Sequence, residues 1–205
     1  MKRLIGIAGR AGSGKDTVAD YLGVDHGFHK IAFADPLRLA AQSMFGVDRR
    51  HFIDRDLKES VHPDWGISPR RMLQLLGNDA VKPIFGPDIW VRRWSLSYGA
   101  VRHTDHVVVP DTRFDLEAEH VRAAGGVILH IERPGAGLEG EAGQHSSEKG
   151  VTFRNGDILL VNDGSIAELY EEVDLLLASL AKLYGDADLP SNTNLDVKVP
   201  DGTLC

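Results

Sequence analysis

Apolar runs alternate with amphipathic stretches along most of the chain. Strands are predicted at residues 4–8, 28–33, 106–109, 127–131 and 157–161, of which 28–33 is the weakest. Helical spacing of apolar residues covers 36–45, 69–79, 88–98, 114–124 and 166–184. Nearly continuous apolar strands are typical of parallel sheets covered on both faces, and their alternation with helices is typical of βαβ units. The pattern therefore predicts an α/β fold with a doubly wound parallel sheet of about five strands.

A glycine-rich turn follows the first predicted strand. It comprises the residues Gly9-Arg10-Ala11-Gly12-Ser13-Gly14-Lys15-Asp16-Thr17, and a segment with helical spacing comes next. Glycines let backbone N–H groups converge on an anion, and the helix N-terminus adds partial positive charge. Strand, turn, Gly-Lys and helix together form a P-loop pattern. We expect ATP phosphates to bind Gly9, Gly12, Ser13, Gly14 and Lys15, with Lys15 reaching the outer phosphates.

One position departs from the usual P-loop pattern. A Ser or Thr that binds Mg²⁺ normally follows the lysine, but here Asp16 follows it and the hydroxyl comes at Thr17. A carboxylate beside a triphosphate is repulsive unless a cation lies between them. We therefore expect Asp16 and Thr17 to contact Mg²⁺, directly or through water. The alternative for Asp16 is a first-turn carboxylate that the helix dipole favours.

Composition narrows the classes of partner. The 205 residues are 42% hydrophobic, which suits one domain with a sizeable core, at 1–185. A net charge of −7 argues against binding long nucleic acid, so local Arg and Lys clusters must hold anionic substrates. Cys205 is the single cysteine and no apolar run approaches the length of a membrane span. We expect a cytoplasmic protein with no membrane partner.

Three segments do not fit the strand–helix alternation. Residues 47–67 are densely charged and are expected to form an excursion at the rim of the sheet. Residues 134–150 carry five glycines between two strong strands, which predicts a lid at about 133–150. The polar tail at 186–205 is expected to be extended or disordered.

Two predicted helices carry side chains suited to a second substrate. Arg70 and Gln74 are four residues apart and share a helix face, where a guanidinium and an amide can bind a phosphate and a base edge. A solvated charged face is the alternative. Asp35 and Arg38 follow the second predicted strand. Asp35 accepts hydrogen bonds from a substrate or caps its helix, and Arg38 contacts a phosphate or is solvated.

Further candidates lie near the third and fourth strands. Asp111 follows a buried strand, where a Mg²⁺-organising carboxylate or a helix cap is expected. Arg113 opens the next helix beside Asp111, and the alternative is that it pairs with Glu117. Arg133 and His145 belong to the predicted lid, where cations can neutralise a transferring phosphoryl group. A solvated loop histidine is the alternative for His145.

These segments resemble the phage-type deoxynucleoside monophosphate kinases in residue type and order over about residues 3–180. The carrying motifs are Gly14-Lys15-Asp16, Phe33-Ala-Asp-Pro-Leu-Arg38, Pro69-Arg70-Arg-Met-Leu-Gln74, Asp88-Ile-Trp90, Asp111-Thr-Arg113-Phe114, His145-Ser-Ser-Glu148 and Asn162-Asp-Gly164. The Gly-Lys-Asp ending is typical of this family. Asn78 and Thr112 depart from the family pattern, at positions that we expect to lie away from the chemistry.

The resemblance implies Mg²⁺-dependent transfer of the ATP γ-phosphoryl group to a deoxynucleoside 5′-monophosphate, for DNA precursor synthesis. It implies a P-loop kinase fold with an NMP-binding region at about 35–98, host cytoplasm for a phage-encoded chain, and compatibility with a homodimer. The resemblance assigns catalytic roles to Lys15, Arg113, Arg133 and His145. It assigns contacts with the acceptor nucleotide to Asp35, Arg38, Arg70, Gln74, Trp90, Asp111, Arg113 and Glu148.

Three alternatives stay open. Trp90 packs near the base or in the core. The acceptor is a nucleotide or a different small molecule, as in the phosphomevalonate kinases, whose P-loop has the same Gly-Lys-Asp ending. A protein of another class, a regulator that binds nucleotide without phosphoryl transfer, would need neither a second substrate site nor an arginine-bearing lid.

Overall fold

A five-stranded parallel sheet forms the centre of the computed structural model, which describes residues 3–103, 105–137 and 150–184. The strands are β1 Leu4–Ala8, β2 His29–Lys30, β3 Val107–Val109, β4 Val127–Glu132 and β5 Ile158–Val161. Their order is β2-β3-β1-β4-β5, and all neighbours are parallel. This order confirms the predicted doubly wound sheet, although β2 is shorter than the predicted strand at 28–33.

Helices connect and cover the strands. They are α1 Lys15–Val24, α2 Asp35–Phe45, α3 Arg50–Ile53, α4 Arg55–Glu59, α5 Pro69–Gln74, α6 Lys82–Phe85, α7 Ile89–Val101, α8 Asp115–Ala123 and α9 Ile166–Tyr184. A π-helical segment, Leu75–Val81, joins α5 to α6. The helix predicted at 69–79 is therefore α5 continued into this wider π-helical turn.

Both faces of the sheet are buried along its central strands β3, β1 and β4, as the apolar strands predict. Successive β1 side chains point to opposite faces. Ile5 and Ile7 pack in a cluster with residues of α1 and α9, whereas Leu4 and Ala8 pack with residues of α7 and α8. The helices thus fix β1 from both sides, and the P-loop that leaves β1 starts from a rigid position.

Residues 47–67 have a core of their own. Phe52 of α3 is fully buried and packs with Ala41, Val47 and Met72 of the neighbouring segments. This cluster is separate from the two that cover the faces of the sheet, and the excursion at the rim of the sheet stays a prediction. Apolar packing fixes α3 and α4 against α2 and α5, and it carries the charged side chains of α4 towards the functional site.

The predicted lid lies mostly outside the described residues, which stop at 137 and resume at 150, and the predicted tail lies wholly outside them. No helix in the described parts of the chain has both the length and the apolar character that crossing a membrane requires.

Candidate active site

The P-loop is packed tightly against the ends of β4 and β5. Gly9, Gly12 and Gly14 have φ angles of 148°, 77° and 105°, which side chains rarely allow. A Cβ on Gly9 would lie 2.4 Å from the carbonyl oxygen of Ile131, and one on Gly14 would lie 2.5 Å from Asn162 Nδ2. Gly9 and Gly14 are thus required by conformation and by space.

The geometry of the P-loop suits an anion. Lys15 is buried and its Nζ donates to the carbonyl oxygen of Arg10 at 2.6 Å, so the side chain folds back over the loop. Among the residues that the structure describes, no side chain caps the first turn of α1, which leaves its backbone N–H groups for a ligand. Ser13 is fully buried, and its Oγ has no hydrogen-bond partner among the described residues.

The residues that would hold Mg²⁺ are few. Asp16 is exposed and Thr17 half-buried, both in the first turn of α1. Within the described ranges, no three His, Cys, Asp or Glu side chains form a group that could hold a metal ion. Mg²⁺ commonly binds one or two protein oxygens and completes its shell with phosphates and water. The donors present therefore fit Mg²⁺ that arrives together with a nucleotide.

Asn162 fixes the P-loop from the far side. Its Nδ2 donates to the carbonyl oxygen of Ser13 at 2.8 Å, and its backbone N donates to the carbonyl oxygen of Glu132 at 2.7 Å. The side chain thus ties the end of β5 to the loop. Sequence reasoning assigned Asn162 no role, although it belongs to a motif that carries the family resemblance.

A cavity with about 660 Å³ of empty space, partly open to solvent, lies at the carboxyl end of β3. Six predicted site residues line it: Arg38, Arg70, Gln74, Trp90, Asp111 and Arg113. The lining residues that sequence reasoning did not assign to a site include four polar ones, Lys58, Asn78, Lys82 and Glu117, and the aromatic ring of Phe114. The cavity therefore concentrates cations in a chain of net negative charge, as the composition requires of an anion site.

Asp35 and Arg38 act as a pair. Arg38 Nη1 lies 2.8 Å from Asp35 Oδ1, and Arg38 Nη2 lies 3.7 Å from Asp111 Oδ2. Asp35 Oδ2 accepts a hydrogen bond from the backbone N of Ala32, so Asp35 does not cap α2 with its side chain. Asp35 does not line the cavity; it orients Arg38, which does.

Asp111 is buried and fixes the chain after β2. Its Oδ1 accepts from the backbone N of Phe33 at 2.8 Å, and its Oδ2 from that of Ala34 at 3.0 Å. The helix-capping alternative for Asp111 is therefore wrong. The contact of Asp111 with Mg²⁺ stays a prediction.

Glu117 is buried and caps the start of α8. Its Oε2 accepts from the backbone N of Arg113 at 2.8 Å and from that of Phe114 at 3.1 Å. Glu117 therefore binds the backbone of Arg113, where the sequence alternative was an ion pair between the two side chains. Burial raises the pKa of Glu117 to about 7, and the charge of Asp111 adds to this, while the two backbone hydrogen bonds and Lys82 oppose it.

Two lysines contribute to the cavity. Burial and the charges of Arg113, Arg70 and Arg38 lower the pKa of Lys58 to about 8, against the opposing charge of Asp16. Burial also lowers the pKa of Lys82, whose Nζ lies 3.6 Å from the centre of the Phe114 ring. The only feature of the sequence that pointed to a role for Lys58 was the high density of charged residues at 47–67.

Arg70 and Gln74 lie on the cavity side of α5. The Arg70 side chain is 12% exposed, and its Nε and Nη2 lie 2.6 and 2.5 Å from Glu59 Oε1. The solvated-face alternative is therefore wrong. Gln74 is buried, and its Nε2 has no hydrogen-bond partner among the described residues. A buried amide donor of this kind is expected to meet a ligand.

The remaining predicted residues are spread more widely. Trp90 is half-buried at the cavity and its Nε1 donates to the carbonyl oxygen of Gly77 at 3.3 Å. Asn78 lines the cavity too, so the expectation that it lies away from the site is wrong. Arg133 is exposed directly after β4 and does not line the cavity. His145 and Glu148 lie outside the described residues.

A P-loop beside a cation-lined cavity, on a parallel sheet wound on both faces, is typical of a P-loop protein that binds a nucleotide and a second anionic ligand. Among solved structures, the dephospho-CoA kinase of Campylobacter jejuni is similar in fold, with 15% identity and a TM-score of 0.46, over 90% of this chain and 100% of that one.

Comparison with known sequences gives the family. The profile of the family described as "Deoxynucleotide monophosphate kinase" matches residues 43–173. A protein of Acanthamoeba polyphaga mimivirus, named provisionally as a deoxynucleotide monophosphate kinase, is 34% identical over an alignment of 183 residues that covers 83% of this chain and 93% of that protein. The chain belongs to the deoxynucleotide monophosphate kinase family and is a nucleotide kinase.

Two phage relatives match over a shorter part. The deoxynucleotide monophosphate kinase of Enterobacteria phage T4 is 33% identical over 58% of this chain and 48% of its own length. That of Escherichia phage RB69 is 34% identical over 60% of this chain and 49% of its own length. The matched part therefore spans about half the length of each phage protein.

Proposed function

We propose that this protein transfers the γ-phosphoryl group of ATP to a deoxynucleoside 5′-monophosphate in the presence of Mg²⁺, giving a deoxynucleoside diphosphate and ADP for DNA precursor synthesis. The observation that carries the proposal is the cavity at the end of β3. It combines cations with a buried amide and aromatic side chains, which suits a phosphate joined to a base.

The P-loop is the proposed ATP site. Lys15 and the loop amides bind the phosphates, and Ser13 provides a buried hydroxyl beside them. Asp16 and Thr17 hold Mg²⁺ together with the nucleotide, and Asp111 is a further candidate ligand. The metal, when bound, neutralises charge on the phosphates.

The cavity is the proposed acceptor site. Arg38, Arg70 and Arg113 bind the 5′-phosphate, because guanidinium groups match its geometry. Gln74 and Trp90 contact the base by hydrogen bonding and packing. Asp35 acts through Arg38, which it orients.

Phosphoryl transfer needs positioning and charge neutralisation more than covalent chemistry from the protein. The ATP γ-phosphorus loses its bond to the β–γ bridging oxygen and gains one to an oxygen of the acceptor phosphate. Arg113 stabilises the charge that develops on the equatorial oxygens. In the proposal, Arg133 and His145 of the lid stabilise the same developing charge. Glu148 of the lid contacts the acceptor.

A coupled assay of ADP release tests the function. We would compare dGMP, dTMP, dCMP, dAMP and phosphomevalonate, with a reaction lacking acceptor as the control. Turnover with at least one deoxynucleotide, lost in EDTA and restored by Mg²⁺, is the expected result. Turnover with phosphomevalonate alone, or ADP release independent of acceptor, would overturn the proposal.

A homodimer, with which the family resemblance is compatible, is part of the proposal. Light scattering coupled to size-exclusion chromatography measures the molar mass. The mass of a single chain at all concentrations would contradict it.

A further inference from the structure

Helix α4 lies between the two proposed substrate sites. Near the P-loop, Arg55 Nη2 is 3.5 Å from the position that a Cβ on Gly12 would occupy. At the other end of the helix, Glu59 binds Arg70 of the acceptor cavity. Lys58 comes directly before Glu59 and lines that cavity. A single short helix therefore reaches from the phosphate-binding loop to the acceptor site.

The surroundings of Lys58 are strongly charged. Its ammonium interacts with the guanidinium charges of Arg113, Arg70 and Arg38, which line the cavity, and with the carboxylate of Asp16 from the P-loop helix, which does not line it. Like charges gathered in a half-buried site repel one another, and an anion bound among them relieves the repulsion. Lys58 thus occupies the region where the phosphates of two substrates would meet.

We propose that Lys58 is a catalytic residue that contacts the phosphates of both substrates and neutralises the phosphoryl group in transit between them. The inference rests on the proposed function, because it assigns the P-loop to ATP and the cavity to the acceptor. Throughout the transfer the ammonium keeps its proton. It donates hydrogen bonds to non-bridging oxygens while the phosphorus exchanges one oxygen partner for another.

Three kinds of contact hold α4 in this position. Phe52 of the preceding helix is fully buried in its own cluster. Asp54 caps α4 by accepting from the backbone N of Asp56 and of Leu57, both at 3.0 Å. Glu59 binds Arg70. A donor held in place before the reaction stabilises developing charge with little reorganisation, which is the condition for a large effect on rate.

Three variants test the role of the ammonium. Lys58→Met removes the charge and keeps most of the chain length, Lys58→Arg restores a cation, and Arg50→Ala is the control, an exposed cation in the same segment on α3. We expect Lys58→Met to lower kcat about 100-fold with both KM values within about threefold, and Lys58→Arg to recover at least about tenfold. Arg50→Ala should match the wild type.

A bisubstrate ligand tests the bridging position. The probe is a dinucleoside pentaphosphate that joins adenosine to the deoxynucleoside of the best wild-type acceptor. We expect Lys58→Met to weaken binding of this probe at least about tenfold while ADP alone binds as to the wild type, because only the probe fills the space between the sites. Equal losses for the probe and for ADP would overturn the bridging role.

The outcomes separate the two proposals. Absence of turnover by the wild type with every deoxynucleotide would refute the proposed function. Normal wild-type turnover with an unchanged kcat for Lys58→Met would refute the role of Lys58 alone. A lowered unfolding temperature with normal kcat would show a structural role and also refute it. If Lys58→Met does not fold, Lys58→Gln replaces it under the same criteria.

Discussion

The P-loop and the acceptor cavity are built in opposite ways. The P-loop consists of nine consecutive residues, which bind an anion mainly through their backbone N–H groups. These groups are fixed between β1 and α1. The cavity is assembled from side chains of six helices, α2, α4, α5, α6, α7 and α8, together with chain between them. A binding site made of main chain is encoded locally, whereas one made of side chains depends on how distant helices pack.

The two regions also differ in electrostatics. Backbone N–H groups hold an anion without a full charge, so the P-loop needs one lysine. The cavity gathers Arg38, Lys58, Arg70, Lys82 and Arg113 around the buried acids Asp111 and Glu117. The shifted pKa values of Lys58, Lys82 and Glu117 all arise there. Perturbed groups in a cleft are typical of functional sites, which supports the cavity as the acceptor site.

The largest expected effect comes from the P-loop. Lys15→Ala should lower kcat/KM about 10³-fold, because it removes the point charge that reaches the outer phosphates of ATP. Steady-state ADP release measures the loss. Circular dichroism should show an intact fold, since the loop conformation depends on its glycines and on Asn162.

The control for Lys15 is another lysine at the edge of the sheet. Lys30 lies in β2 and pairs with Asp20 on the surface, so Lys30→Ala should leave kcat/KM near the wild-type value. A Lys15→Ala protein with turnover close to that of Lys30→Ala would contradict the assignment of the ATP site.

The second effect is a pH dependence that belongs to the cavity. Burial raises the pKa of Glu117 from 4.5 to about 7, so the folded state keeps the proton over a range where the unfolded state has lost it. The stability from this group is complete below pH 4.5 and is lost as the pH rises to about 7, by up to about 3 kcal/mol. Glu117→Gln keeps an oxygen acceptor and cannot ionise.

Urea unfolding between pH 4.5 and 8 measures this difference. The free energy of unfolding should fall more steeply with pH for the wild type than for Glu117→Gln, and the variant should be the more stable above pH 7. Groups other than Glu117 titrate equally in both proteins. Parallel curves would mean that Glu117 is ionised throughout.

The contrast between the regions explains what the sequence could predict. Gly9, Gly14 and Lys15 were assigned correctly to one loop because their spacing fixes the local backbone. Arg70 and Gln74 were found because four residues separate neighbours on a helix face. Lys58 was missed because Arg38 and Arg113, which lie with it in the cavity, are distant from it along the chain. Glu117 was considered only as a partner of Arg113, because its place in the cavity depends on how distant helices pack. The partner of Asp111, the backbone of Phe33 and Ala34, lies 77 or more residues away.

The third effect tests whether the acceptor site is separate from the ATP site. Arg70→Ala should raise the KM for the deoxynucleotide about 30-fold and change the KM for ATP by less than about threefold, since Arg70 lines the cavity and not the P-loop. Initial-rate kinetics with each substrate varied in turn give both values. Arg71→Ala is the matched control, an exposed neighbour that does not line the cavity. An effect confined to ATP would reassign Arg70 to the donor site.

The smallest effect concerns the junction between the two regions. Thr112 lies between Asp111 and Arg113 of the cavity, and a Cβ on Gly6 of β1 would be 3.0 Å from its Oγ1. Thr112 is 1% exposed, and Oγ1 has no hydrogen-bond partner among the described residues. Valine has the same shape without the buried hydroxyl, so Thr112→Val should raise the free energy of unfolding by about 1 kcal/mol with kcat unchanged.

Thr112→Ala is the control for this prediction. It removes the same hydroxyl together with a methyl group and leaves a cavity, so it should be less stable than Thr112→Val by about 1 kcal/mol or more. Thermal unfolding orders the three proteins. A Thr112→Val protein less stable than the wild type would mean that the hydroxyl is hydrogen-bonded in solution. The position that separates the strand of the P-loop from the cavity would then be stabilised by a polar contact instead of by apolar packing.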